Sequence, residues 1–300
     1  MKLIIETDIG RDFDDFIALC YLIDAGVDIK VISISPGDSD QVAITKFLLK
    51  ECGLNVPVGV SSLYRDKKSI SGVHTQLLKK YKYAEIEKHD GLSIDLINGV
   101  LEEANKFLSE GEESDIEFFG CGPLDSISQI TKYPRCASVQ GGFVSYSFLK
   151  NKGIVPRIQL DKFKDIEFVQ TFNLSSNSKA AGTFLKMPFK KRFISKNLCH
   201  TIVYDGKVHN VMDSFRAKSR AGEILREAML MYLKKHPHGK IIHDPTAAIC
   251  HLHPDIATWV NGRLVCENEK WGTIELLPYN CEIIGDIKYE SLLYYLSHGL

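Results

Sequence analysis

An apolar run that ends abruptly in carboxylates limits what this chain can fold into more than any other stretch. Lys2 to Thr7 reads as a buried strand, and the ten residues from Glu6 to Asp15 hold five acids: Glu6, Asp8, Asp12, Asp14 and Asp15. Like charges this close cannot all ionise without a counter-charge. A hard divalent cation supplies one, and oxygen-only ligands select Ca²⁺ or Mg²⁺ over zinc. The cluster follows a strand, and open α/β sheets bind ligands at the C-terminal ends of their strands. Helix capping explains Asp12 or Asp14, which suit the N-terminus of a helix beginning near Phe16. It does not explain all five.

The segments that follow alternate. Phe16 to Gly26 has helical periodicity and a Gly stop. Asp28 to Ser35 is a second apolar strand, Pro36-Gly37-Asp38 a turn, and a helix runs on to Cys52; Asn55 to Ser62 holds a third short strand. This β-α-β-α-β order predicts an α/β fold, doubly wound, with a mainly parallel central sheet flanked by helices. Residues 62–92 are polar and lysine-rich and read as a loop region over the sheet edge. A helix from Asp95 to Ser109, a strand from Ile116 to Gly120, a helix from Ser178 to Leu185, a strand around Phe193 to Ser195 and a long amphipathic helix from Asp213 to Lys235 complete the pattern. Phe143 to Val169 reads as irregular. With no repeat, low-complexity tract or linker, residues 1–300 read as a single domain.

Composition excludes several classes. Net charge is −1, so no global field attracts nucleic acid or a membrane surface. Eight scattered cysteines without a CxxC pair argue against a zinc site and a disulfide scaffold, and fit a reducing cytoplasm. The chain enters a strand at once, which predicts no signal peptide. No apolar run approaches the ~18 residues of a membrane span.

Four further features carry chemistry. His243-Asp244-Pro245 reads alone as a helix N-cap, since Pro favours the first helical turn; beside the acidic cluster, Asp244 becomes a candidate metal carboxylate with a neighbouring histidine. The turn Gly120-Cys121-Gly122-Pro123 exposes backbone carbonyls of the kind calcium accepts. Gly141 and Gly142, after Gln140, mark a place where backbone could approach a ligand. His89 and His200 are candidate pocket walls, and the other histidines read as surface or packing residues.

Together these residues resemble the calcium-dependent nucleoside N-ribohydrolases of the inosine-uridine-preferring type. That family opens with a strand and DTDPGxDD or DTDIGxDxDD before an alanine-leucine helix, and this chain has ETDIGRDFDDFIAL from Glu6 to Leu19. The later landmarks follow in order across nearly the whole chain. The Pro-Gly-Asn turn is matched by Pro36-Gly37-Asp38, the His-Gly…Gly-Leu stretch loosely by His89 to Leu92, and Thr-Gly-Pro-Leu-Thr-Asn by Cys121 to Ser126. Met-Gly-Gly is matched by Gln140-Gly141-Gly142, Glu-Phe-Asn by Thr171-Phe172-Asn173, and His-Asp-Pro by His243-Asp244-Pro245.

The resemblance implies a nucleoside hydrolase-like fold, a small-molecule nucleoside substrate, a homo-oligomeric assembly as in many relatives, and a definite site. Asp8, Asp15 and Asp244 would be carboxylate ligands of Ca²⁺, and the carbonyl of Cys121 a backbone ligand. Asp14 would be the general base; it follows from aligning DDxxAL, with Asp12 the alternative because of the Asp12-Phe13 spacer. His243 would be a general acid near the leaving base. Asn173, Asp38, Gln140 and Thr171 would contact the substrate, and Glu6 would orient the first carboxylates from behind. Departures shift the substrate expected. Thr171 stands where the family has a Glu at the ribose 5′ side, Asp38 where it has Asn, and Gln140 where it has Met. They point to a modified nucleoside such as queuosine, or one altered at the 5′ position, even by phosphate. A non-catalytic calcium- or ribose-binding relative is the alternative. A haloacid-dehalogenase-type phosphohydrolase is disfavoured, because its DxDxT is absent and Glu6 stands where its nucleophilic Asp belongs.

Overall fold

The first apolar run forms β1 (Lys2–Thr7), and each further parallel strand is laid beside it through a helical crossover. The strands in chain order are β1, β2 (Asp28–Ile34), β3 (Val58–Val60), β4 (Gly91–Leu92), β5 (Ile116–Cys121), β6 (Cys136–Gln140), β7 (Lys190–Ile194), β8 (Val203–Tyr204), β9 (Lys240–Ile241), β10 (Ala257–Glu267), β11 (Lys270–Ile274) and β12 (Cys281–Ile287). The structure, a computed structural model, describes residues 1–10, 12–61, 69–83, 88–106, 114–214 and 219–298.

Ten strands make one sheet in the order β11-β10-β12-β7-β6-β5-β1-β2-β3-β4. It is parallel from β12 through to β4, and β10 joins β12 and β11 antiparallel. The chain leaves β1 toward β2, β3 and β4, then returns to the other side of β1 as β5. That reversal places a topological switch point beside β1, where such sheets open a crevice at their carboxyl ends. β1 is buried on both faces: Leu3 and Ile5 face one apolar core, and Ile4 faces the other. This explains why the strand reads as a continuous apolar run.

Several expectations are corrected. The lysine-rich stretch after Ser61 contains a helix, Gly72–Lys80, started by Ser71, whose hydroxyl accepts from the His74 N–H; residues 62–68 and 84–87 lie outside the described residues. The helix expected from Asp95 begins earlier and is assigned over Ser93–Asn105, with 107–109 outside the described residues. The irregular stretch 143–169 includes the short helix Tyr146–Asn151. The long helix expected over Asp213 to Lys235 is assigned over Arg220–Lys235, started by the Ser219 hydroxyl, while Asp213 ends a separate helix, Gly206–Asp213; residues 215–218 lie outside the described residues. Residues after Leu252 carry no sequence prediction, and they form the antiparallel meander β10 to β12 and the helix Tyr289–His298. No helix among the described residues is long and apolar enough to cross a membrane.

Candidate functional site

At the switch point, β1 ends at Thr7 and the chain turns through the acidic loop into the helix Asp14–Asp24. The Thr7 hydroxyl donates to Asp15 Oδ1 at 2.6 Å and accepts from the Ile9 N–H at 3.1 Å, so the strand end and the helix start are tied together. Asp14 is 2% exposed. Its Oδ2 accepts from the backbone N–H groups of His243 (2.7 Å) and Asp244 (3.3 Å), at the start of the helix Asp244–Leu252. Unpaired N–H groups and the helix dipole favour a carboxylate there. The buried Oδ1 has no hydrogen-bond partner. Lys240 Nζ lies 3.5 Å from it, an ionic contact rather than a hydrogen bond, and pairs more closely with Asp12 at 2.6 Å.

These elements wall a cavity of about 700 Å³ at the carboxyl ends of the strands. It brings together Asp8, Asp14, Asp15, Asp38, Gln140, Thr171, Asn173, His243 and Asp244, all expected site residues. A larger hollow of about 1630 Å³ opens at the other end of the sheet, around Met1, Tyr133 and Lys190, and it holds none of the residues expected to act. Chemistry rather than size therefore identifies the site.

The acids do not share one electrostatic fate. Burial, then the neighbouring Asp15, pushes Asp8 well above the usual carboxylate range. Burial pushes Asp15 up to about 7 against the pull of the Thr7 hydroxyl. Burial, followed by the charges of Asp15, Asp14 and Asp8, pushes Asp244 well above its ordinary value. Asp12 goes the other way: burial works against its ionisation, but the Lys240 ammonium outweighs it. Thus Asp8, Asp15 and Asp244 crowd one another while the nearby ammonium serves Asp12 and Asp14. Such a set fits a hard cation in its chemistry, all oxygen and short of positive charge. Among the described residues no three His, Cys, Asp or Glu side chains form a ready-made metal cage, so backbone and substrate oxygens would have to complete one.

The remaining predicted residues divide. Asn173 Nδ2 donates to the Gln140 carbonyl (3.1 Å) and to Gln140 Oε1 (3.0 Å), so these two form one polar wall. Thr171 is 2% exposed and its hydroxyl has no partner. His243 Nδ1 is 3.3 Å from Asp14 Oδ2, and its ring meets His200 edge to face at 5.0 Å. His200 does line the cavity; burial, then His243 and Lys162, lowers its pKa to about 4. His89 instead bonds locally to the Gly91 carbonyl and is no cavity wall. Cys121 does not line the cavity either. It pairs in register with Thr7, so its backbone leaves the sheet beside the acidic loop. A Cβ on Gly122 would lie 3.0–3.1 Å from the backbone of Thr7 and Asp8, which shows how tightly the two turns approach.

Two expectations are corrected. Glu6, expected beside the substrate site to orient the first carboxylates from behind, is on the face of β1 opposite Thr7, because side chains alternate along a strand. Its carboxylate accepts from the Ser126 (3.2 Å) and Ile127 (3.0 Å) N–H groups and burial raises it to about 7, so it braces the turn after β5. Gly141 and Gly142 face Leu174 and Leu264 rather than the cavity.

Several lining residues were missed, Ser35 and Ser176 among them. Gln41 donates through Nε2 to the Asp8 carbonyl (3.2 Å), while its Oε1 accepts from the Asp38 N–H (2.9 Å); the Asp-x-x-Gln spacing of a capping box was its available signal. Lys196 follows β7 at its carboxyl end, where strand-end logic could have found it. Phe172 lies at the mouth, 73% exposed, beside the predicted Asn173. Ser69 follows a stretch outside the described residues and had no signal. Lys240 also had none, since only the fold brings the β8-β9 ribbon to the acidic loop.

The sequence matches the family model described as inosine-uridine preferring nucleoside hydrolase over residues 3–291. A protein of Aquifex aeolicus (strain VF5), described only as uncharacterized, is 27% identical, with 94% of this chain and 93% of that one aligned. Among solved structures, a plant nucleoside hydrolase superposes with a TM-score of 0.72 at 16% identity, covering 99% of this chain and 97% of the other. The purine-preferring ribonucleoside hydrolase from Gardnerella vaginalis gives 0.65 at 17% identity, with the same coverage. At such identities the structural likeness speaks to the fold alone, and it matches the mainly parallel sheet described here.

Proposed function

The chain belongs to the inosine-uridine preferring nucleoside hydrolase family, and on that basis we propose that it hydrolyses the N-glycosidic bond of a ribonucleoside to free base and ribose, with Ca²⁺ as its cofactor. The observation that carries this reading is the state of Asp14. Its side chain lines the cavity, with one carboxylate oxygen anchored by two backbone N–H groups and the other buried without a hydrogen-bond partner. A general base needs this arrangement, with one oxygen fixing geometry and the other open to a water proton.

Asp8, Asp15 and Asp244, with the Cys121 carbonyl, would hold the ion. Bound there, Ca²⁺ would orient the ribose diol and acidify a water. Asp14 takes the proton from the attacking water. Asn173 and Gln140 hold the ribose by hydrogen bonds, and Asp38, which lines the cavity from the turn after β2, is a further substrate contact. The oxocarbenium-like charge that grows on the ribose is stabilised by the surrounding carboxylates. His243, partly exposed and close to Asp14, stands where it can protonate the departing base. The substrate departs from plain inosine or uridine, as Gln140 and Thr171 suggest, through a modified base such as that of queuosine or through the 5′ end. Eight free thiols fit a cytoplasmic setting.

The test is release of free base from a panel of nucleosides and their 5′-monophosphates that includes a 7-deazapurine nucleoside, in CaCl2, with Asp14→Asn as control. Release that vanishes in the control is expected. No release from any nucleoside or 5′-monophosphate by a protein that still binds calcium would reassign the chain as a non-catalytic binding relative.

A further inference from the structure

The cavity is lined by charges of both signs, and the reaction above uses none of its lysines. Lys196 and His200 lie one helical turn apart on the element that follows β7, and both line the cavity. The Lys196 ammonium donates to the Gln170 carbonyl at 2.8 Å, which places it next to Thr171. Lys162 Nζ stands 2.9 Å from His200 Nδ1. Neither lysine has a carboxylate partner among the described residues; besides burial, the charge acting on Lys196 is that of Lys162, and those acting on His200 are His243, Lys162 and Lys196. A partly buried ammonium with a second cation nearby and no counter-charge is costly unless an anion joins it. The buried, unpartnered Thr171 hydroxyl lies at the same place and can donate to such an anion. No net attraction for anions explains the wall, since the chain carries a charge of −1 overall.

A ribonucleoside seated for hydrolysis directs C1′ and its diol at the carboxylate floor. Only the base and the 5′ carbon remain to meet the lysine side of the cavity, and His243 claims the base side. We propose that the substrate is a ribonucleoside 5′-monophosphate, with Lys196 and the Thr171 hydroxyl as its phosphate contacts and Lys162 as a longer-range cation. This rests on the hydrolase reading and refines it. Water adds at C1′, the C1′–N bond breaks with its electron pair going to the base, the base leaves with a proton, and ribose 5-phosphate is released with its ester intact. An unmodified nucleoside would leave the Thr171 hydroxyl and the lysine charge unanswered, which costs affinity at a built polar site.

The deciding experiment pairs cleavage with binding. Wild-type protein in CaCl2 is assayed on inosine, guanosine and uridine against their 5′-monophosphates, and on orotidine, whose anion is on the base. Calorimetry with Asp14→Asn measures binding of the same compounds without turnover. A kcat/KM at least tenfold higher for the monophosphates is expected. In Lys196→Met the ratio of monophosphate to nucleoside kcat/KM should collapse toward one, and in Lys196→Arg it should largely survive. Cleavage of nucleosides with no preference for monophosphates, or a preference for orotidine alone, overturns the phosphate proposal and leaves the hydrolase reading standing. Lys196-dependent binding of monophosphates without cleavage supports the phosphate site and overturns the hydrolase reading. Absence of both binding and cleavage overturns both.

Discussion

Asp14 and Asp12 differ in what surrounds them, and the difference decides which can act as a base. Asp12 is a largely exposed side chain whose Oδ1 takes both the Phe13 N–H (2.6 Å) and the Lys240 ammonium (2.6 Å), whereas Asp14 is buried, with one oxygen anchored by two backbone N–H groups and the other without a hydrogen bond. Asp14→Asn should therefore lower kcat by roughly 10²–10⁴-fold, with KM changed little because an amide oxygen can still accept the two N–H groups. Asp12→Asn should cost less than about tenfold. Steady-state kinetics on both variants checks this, and an equal loss in Asp12→Asn would move the base assignment. His74 supports the same loop from behind. Its Nδ1 lies 3.1 Å from the Gly10 carbonyl, and its ring packs on Phe13 and Phe16 at 5.2 and 5.3 Å. Burial lowers its pKa to about 4. Between about 4 and the ordinary value near 6.5, the unfolded chain holds a proton that the folded chain does not. The stability this neutral histidine confers is intact above pH 6.5 and is lost as pH falls toward 4, on the order of 3 kcal/mol in all. Urea unfolding at pH 7, 6 and 5 should show a shallower decline in His74→Asn than in wild type; parallel declines would refute the assignment. At this scale the acidic loop and the His-Asp-Pro step were legible because their chemistry is local. Lys240, Lys196 and the true place of Glu6 were not, because partner and face are set by distant backbone.

Elements were legible where a single rule governs them. β1, β2 and β5 are buried on both faces and read as apolar runs, and the helix Ser178–Leu185 has its Asn177 cap, which accepts from the Ala180 N–H at 3.0 Å. Elements whose stability comes from packing were missed. β6 is only five residues with two small ones, and it is a strand because β5 and β7 enclose it. β10 alternates between exposure and burial with Gly262 in its middle, and its register depends on β12. The helix Gly72–Lys80 buries only Val73, His74 and Leu77 under a lysine-rich surface, so its sequence resembles a loop. The turn between β2 and the helix Ser39–Glu51 was readable, and it offers a test. Gly37 has φ +98°, and a Cβ there would lie 2.3 Å from the side chain of Val60. Gly37→Ala must strain the turn and displace β3, at a cost of about 2 kcal/mol or more. Chemical denaturation should show that loss, and because Asp38 and Gln41 move with the turn, kcat/KM should fall as well. A fully stable and active Gly37→Ala protein would mean the turn does not position the site.

Across the whole molecule, the sheet order brings residues from both ends of the sequence to one crevice. Asp8 and Asp15 come from the first crossover, and Asp244 from a helix start more than two hundred residues later. Folding gathers three carboxylates whose pKa values are raised by burial first and by neighbouring acids second, so the native state carries a desolvation and repulsion cost that the unfolded chain lacks. A cation that binds only the gathered set must stabilise the fold, by about 2.7 kcal/mol when its concentration is a hundred times Kd. Calcium at millimolar concentration should therefore raise the melting temperature by several degrees, and a chelator should reverse the rise. Mg²⁺ should do less, because it demands tighter octahedral geometry and keeps its waters. Asp15→Asn and Asp244→Asn should each melt no lower than wild type without calcium, having shed a repulsion, and should lose most of the calcium-dependent rise. Asp12→Asn, whose partner is Lys240, should keep it. Equal stabilisation of all these variants by calcium would mean the ion binds elsewhere, and the crevice would then need another source of positive charge to hold its three buried acids together.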